Sequence, residues 1–266
     1  MESQDDVLDY SISMALLPDG FCKKDQFLNK GIAYLFNDTI YEYDIHSANT
    51  SLMKYYGLAD DSIIDDLIHL PKSKRVKRIG IMQKDKDFAK ALSKAFANIR
   101  KEFFDANQLE LNDIISVKKD AIFTRKKCSI TIFENVEFIV KNQYSSFLQL
   151  PRLELYYGDG ELDVKGIDDS KLGLHEDGII AFLKDFFRRA ESLEKADVLR
   201  FIRKYASLYK RRELELSNYR EFNADSMYTV IGSEDRFTEY WDDRIHELNI
   251  MYNWTNVIIP ITLMMY

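Results

Sequence analysis

Short runs of apolar–polar alternation constrain this chain most. Thr39 to Ile45 alternates, so Ile40, Glu42 and Asp44 share one face of a strand while Tyr41, Tyr43 and Ile45 share the other. Ile114, Ile115 and Val117 lead into a Lys118–Lys119 turn, and Ala121 to Thr124 runs back. Ser129 to Phe133 and Val136 to Val140 repeat the alternation around a turn at Glu134–Asn135. Runs of period two that follow one another this closely pair antiparallel with one face covered, which excludes a sheet built from βαβ units. Helices come from elsewhere. Phe88, Leu92, Phe96, Ile99 and Phe103 recur at helical spacing between Asp87 and Phe104, and Ile63, Ile64, Leu67 and Ile68 give a shorter apolar face that stops at Pro71. The fold class is therefore α+β.

Two of these strands end in a carboxylate. Asp44 closes the first and is followed by the cap-type run Ser47-Ala-Asn-Thr-Ser51. Asp120 sits at the tip of the hairpin. Two acids delivered by separate strands are what a divalent-metal phosphoryl-transfer site needs, because the metals hold the polyphosphate and offset charge on the leaving oxygen. Glu42 is a spare carboxylate on the Asp44 face, expected to be a solvated strand residue.

Composition narrows the setting. With 266 residues the chain can bury one large core or two joined ones, and four prolines leave little room for long linkers. The net charge of −7 argues against indiscriminate nucleic-acid binding. Basic residues nevertheless cluster at Lys72–Arg78, Lys118–Lys127 and Arg203–Arg212, a pattern suited to gripping a polymer of phosphates along one face. The acidic start lacks a secretion-signal pattern, and the apolar run Val257–Tyr266 is too short to cross a bilayer. Cys22 and Cys128 fit a reducing compartment, and the four histidines lack metal-ligand spacing. These features predict a cytoplasmic protein without a membrane partner.

Four motifs, in order, resemble family B DNA polymerases. That family's first palm motif, Asp-x-x-Ser-Leu-Tyr-Pro-Ser, is similar to the segment in which Asp44, Ser47 and Ser51 stand at matching positions. Its fingers-helix motif Lys-x-x-x-Asn resembles Lys94-Ala-Phe-Ala-Asn98, with Lys101-Glu102 where Tyr-Gly would follow. The motif Tyr-Gly-Asp-Thr-Asp-Ser resembles Ser116-Val-Lys-Lys-Asp-Ala121, in which Lys118 replaces the first acid and Asp120 keeps the second. Lys141-Asn-Gln-Tyr144 and Lys165-Gly166 stand where the family carries Lys-x-x-Tyr and Lys-Gly. Four matches in sequence are far more specific than one.

The resemblance covers roughly Tyr34 to Phe187. It implies a polymerase-like palm with an antiparallel sheet, short helical fingers and a mostly helical thumb-like C-terminal subdomain. The boundaries expected are an N-terminal segment 1–33, a palm-like domain 34–168 with a fingers-like insertion 53–106, and a thumb-like subdomain 169–266.

The implied activity is template-directed nucleotidyl transfer from a nucleoside triphosphate to a 3′-hydroxyl. Its metal would be Mg²⁺, which Mn²⁺ can replace, and its partners primer–template nucleic acid and other replication subunits. Asp44 and Asp120 would be the catalytic metal ligands, with the Ile45 carbonyl a third. Lys94, Asn98, Ser47 and Asn49 would meet the nucleotide, aided by Arg75 and Arg78. Asn49 stands where the family's sugar-excluding Tyr would be. Lys141, Tyr144 and Lys165 would hold the primer side. The alternative is a polymerase-derived nucleic-acid-binding or assembly subunit without catalysis, motivated by Lys118 and the missing Tyr-Gly. A third reading, accidental matches in an α+β protein, predicts that Asp44 and Asp120 lie far apart.

Overall fold

The computed structural model describes residues 26–129, 136–167, 172–222 and 251–266. The chain divides into two units: Met1–Gly31 with Thr39–Gln143, and Ile32–Asp38 with Tyr144–Tyr266. Each unit pairs an antiparallel sheet with helices, so the fold is α+β. The longer segment of the second unit begins at Tyr144, ahead of the boundary near 168 expected from the motifs.

In the first unit, β1 (Gln26–Leu28), β3 (Ile40–Ile45), β4 (Ile114–Lys118), β5 (Ala121–Thr124) and β6 (Phe138–Tyr144) form one sheet in the order β1–β4–β5–β3–β6. The expected strand 129–133 and its turn lie almost wholly outside the described residues, as do the N-terminal segments around Asp9–Leu17 and Pro18–Gly20. Four helices follow β3 in the chain: α1 (Ala48–Tyr55), α2 (Asp61–Ile68), α3 (Lys72–Met82) and α4 (Lys86–Asn107). α4 is the long amphipathic helix expected from its apolar spacing. It starts where the Asp85 carboxylate accepts from the Asp87 and Phe88 amides at 2.9 and 3.2 Å, and stops at Gln108, whose φ of 48° leaves the helical region. Its Leu92, Phe96, Ile99 and Phe103 are buried in a core shared with Tyr43, Leu52, Ile114 and Phe138. Phe103 stacks on Phe138 with ring centroids 4.2 Å apart, tying helix to sheet.

The second unit has its own sheet, β2–β7–β8–β9, from β2 (Tyr34–Leu35), β7 (Ser146–Leu150), β8 (Leu153–Gly158) and β9 (Glu161–Lys165). Asp159 and Gly160, at φ 52° and 81°, close the β8–β9 hairpin. Positive φ at both central positions is the demand that an Asp-Gly pair meets. The helices α5 (Ala181–Ser192), α6 (Lys195–Lys210) and α7 (Ile259–Met264) complete it among the described residues. Their apolar stripes bury Leu183, Phe186, Phe187, Val198, Ile202 and Ile261 with Leu148, Leu155 and Val164 of the sheet. No helix among the described residues is long and apolar enough to cross a membrane.

Candidate active site

The register of the first sheet decides where the two aspartates go. β3 pairs antiparallel with β5 through Tyr41↔Thr124, Glu42↔Phe123 and Tyr43↔Ile122. β4 and β5 form a hairpin closed by Lys118↔Ala121, which leaves Lys119 and Asp120 as its two tip residues. Continuing the β3–β5 register carries that tip to the Asp44–Ile45 end of β3. The chain turns sharply just there. Ser47 adopts φ 50°, and its carbonyl accepts from the Thr50 and Ser51 amides as α1 begins.

A cleft of about 420 Å³ opens at this point. Asp44, Ile45, Ser47, Asn49 and Asp120 line it together with Arg75, so six of the expected site residues converge. Its acids are only partly offset by cations. Burial and the neighbouring Asp120 carboxylate hold the Asp44 carboxyl above its ordinary value of 3.8, against the opposing pull of Lys141 and of the Ile45 amide. That amide donates to Asp44 Oδ1 at 2.9 Å. Asn49 Oδ1 also stands sealed from solvent, without a hydrogen-bond partner among the described residues.

Lys72 lines the cleft beside Arg75; sequence reasoning placed Lys72 in a basic cluster but gave it no site role of its own. Lys72, Arg75, Val76 and Ile79 recur at helical spacing along α3 and turn one face of the basic run to the cleft. That spacing is legible in the sequence. It was hidden because Ile79 is the one fully buried residue of the helix, which leaves no clear apolar stripe.

Other expected residues lie elsewhere. Lys94 is exposed and Asn98 half-buried on α4, and neither lines the cleft. Arg78 faces Asp66 across 3.8 Å at the surface. Lys141 is close to the acids. Its Nζ is 3.2 Å from Glu42 Oε1 and 3.9 Å from Asp44 Oδ2. Glu42 is not the solvated residue expected: it is 1 % exposed and also accepts from Asn142 Nδ2 at 2.6 Å. Tyr144 and Lys165 belong to the second unit, where both reach Asp163 Oδ2, the Tyr144 hydroxyl at 2.6 Å and Lys165 Nζ at 2.7 Å.

Asp44 and Asp120 supply donor atoms of the kind that a magnesium ion takes. Its preferred donors are oxygens, and it is commonly held by one or two carboxylates with substrate phosphates and water completing the shell. No group of three or more His, Cys, Asp or Glu side chains gathers among the described residues, so the phosphates would have to supply the remaining donors. A divalent cation there would relieve the repulsion that raises Asp44.

No curated protein is similar enough to this chain to match it. Residues 18–262, all but the two ends, match the family described as bacteriophage PBS1 gene 130 protein, and the chain belongs to that family.

Proposed function

We propose that this chain is a template-directed nucleotidyltransferase of the family B polymerase type, acting through the cleft between β3, the β4–β5 tip, α1 and α3. One observation carries the reading: two aspartates far apart in sequence face one cleft in which lysine and arginine also stand. In the reaction, the 3′-hydroxyl oxygen of a nucleic-acid end loses its proton to solvent and bonds to the α-phosphorus of a nucleoside triphosphate, the bond from that phosphorus to the bridging oxygen of the β-phosphate breaks, and pyrophosphate leaves. Magnesium, when bound, lowers the pKa of the attacking hydroxyl and neutralises charge on the leaving oxygen.

The chain's own residues have separate tasks. Asp44 and Asp120 hold the cation, and the Ile45 carbonyl is a further oxygen at hand. Lys72 and Arg75 offset the charge of the triphosphate, the task assigned to Lys94 by the motif alone. Asn49 Oδ1, which has no hydrogen-bond partner among the described residues, is an acceptor suited to a sugar hydroxyl of the nucleotide. The test is extension of a primed template by the purified full-length chain with Mg²⁺ or Mn²⁺. Wild type should add nucleotides, and Asp44→Ala or Asp120→Ala should abolish addition.

The second reading, a nucleic-acid-binding subunit without catalysis, is favoured by Lys118 in place of an acid and by Lys94 standing outside the cleft. It predicts no incorporation with DNA or RNA templates under either metal. It also predicts nucleic-acid binding that survives neutralising both aspartates.

A further inference from the structure

Asp120 sits on a turn that its own residues do not favour. Lys119, its neighbour at the hairpin tip, has φ 55°, a conformation that costs a side-chain-bearing residue about 1–2 kcal/mol. Something else must hold that turn, and α4 supplies it. Arg100 is only 1 % exposed, and its Nη1 donates to the Lys119 carbonyl at 2.7 Å. One helical turn earlier, the Phe96 ring receives the Lys119 ammonium at 4.8 Å from its centroid. The same helix also reaches the segment that follows Asp44. Glu102 accepts from the hydroxyls of Tyr55, the last residue of α1, and Tyr56, which follows it, at 3.2 and 2.8 Å. Within seven residues, α4 thus holds the hairpin tip that carries Asp120 and the end of the helix that follows Asp44.

We infer that Arg100 is a positioning residue for the acid pair: its guanidinium, sealed under the hairpin tip, fixes Lys119 in the left-handed turn and so aims Asp120 into the cleft beside Asp44. The affinity of the pair for a divalent cation is then set from α4. This rests on the metal-binding reading of the cleft. It goes beyond it by giving a role to a residue that touches neither substrate nor cation. Groups that orient metal ligands in this way typically change affinity by about 10–100-fold when removed. A purely structural arginine would change stability and leave affinity alone.

The test measures Mn²⁺ binding by calorimetry on the full chain, alongside urea denaturation of each variant. Arg100→Met should weaken Mn²⁺ about tenfold or more, and Arg100→Lys, which keeps the charge but loses the planar fork, should weaken it less. If Arg100→Met does not fold, Arg100→Lys carries the comparison. Leu109→Ala, a core truncation on the same unit, should lower stability without changing affinity. Adding Lys119→Gly to Arg100→Met should restore part of the lost affinity, because glycine adopts positive φ without the penalty. Mn²⁺ affinity within twofold of a wild type that does bind the metal, in both Arg100 variants, overturns this inference alone. A wild type that binds no Mn²⁺ overturns the metal-binding reading and this inference with it.

Discussion

Asp44 is held in a state its surroundings disfavour, and that has a measurable consequence. Its folded-state pKa lies above the ordinary 3.8 through burial and the Asp120 charge. The folded protein therefore holds the proton where the unfolded chain has released it, and stability without metal falls as pH rises from about that value. The loss is complete once the pH lies above the raised folded-state value. Asp44→Asn should accordingly raise the melting temperature in chelator at pH 7 while removing nucleotide addition. The gain should vanish towards pH 3, and equal melting temperatures at pH 7 would show that the cleft carries no such penalty. Lys141 is the partial counterweight. Replacing it with Met removes a cation from the nearly buried Glu42, leaving the Asn142 amide in place, and should cost about 1–3 kcal/mol in urea denaturation. At this scale Asp44 and Asp120 were legible, because a strand-end acid needs only local alternation to be seen. Glu42 was not, because its burial depends on β6, which brings Lys141 and Asn142 to it from about a hundred residues away in the chain.

Elements divide in the same way. α4 announced itself through five large apolar residues at helical spacing. α3 did not, since a helix that gives one face to an aqueous cleft buries little, and its basic residues read equally well as a loop. The difference matters for the triphosphate. Lys72→Glu or Arg75→Glu should weaken nucleoside triphosphate binding about tenfold or more, reversing one charge each at the cleft wall. Lys94→Glu, on the exposed face of α4, should change it less than twofold in a fluorescence titration with a labelled nucleotide. The Lys-Gly motif also has an elementary reason for its glycine. Gly166 adopts φ 108°, and a Cβ there would stand 2.5 Å from the Arg152 carbonyl oxygen in the turn between β7 and β8. Gly166→Ala should therefore cost about 2 kcal/mol or more, read as a lowered urea midpoint.

For the whole molecule, the sequence conveyed the α+β class but not where the chain divides. The expected boundary followed the last motif of an antiparallel run, whereas the structure assigns β7, β8 and β9 to the second unit, with β2 contributed from before β3. A two-residue strand such as Tyr34–Leu35 has too little alternation to show which sheet it joins, and that choice is made by distant pairing with β7. The division makes a prediction about ligand response. The cleft belongs wholly to the first unit, whose core is separate from the one around Phe186 and Phe187. Ligand at a hundred times its dissociation constant stabilises what binds it by about 2.7 kcal/mol, slowing exchange through opening of that unit about a hundredfold. Hydrogen exchange with Mn²⁺ and a nucleoside triphosphate should therefore add protection first in β3, α1 and the β4–β5 hairpin. Residues 146–165 and 181–210 should change far less. Protection confined to that second set, with Ile40–Tyr55 unaffected, would place the nucleotide elsewhere and remove the reason for assigning the aspartate cleft a catalytic task.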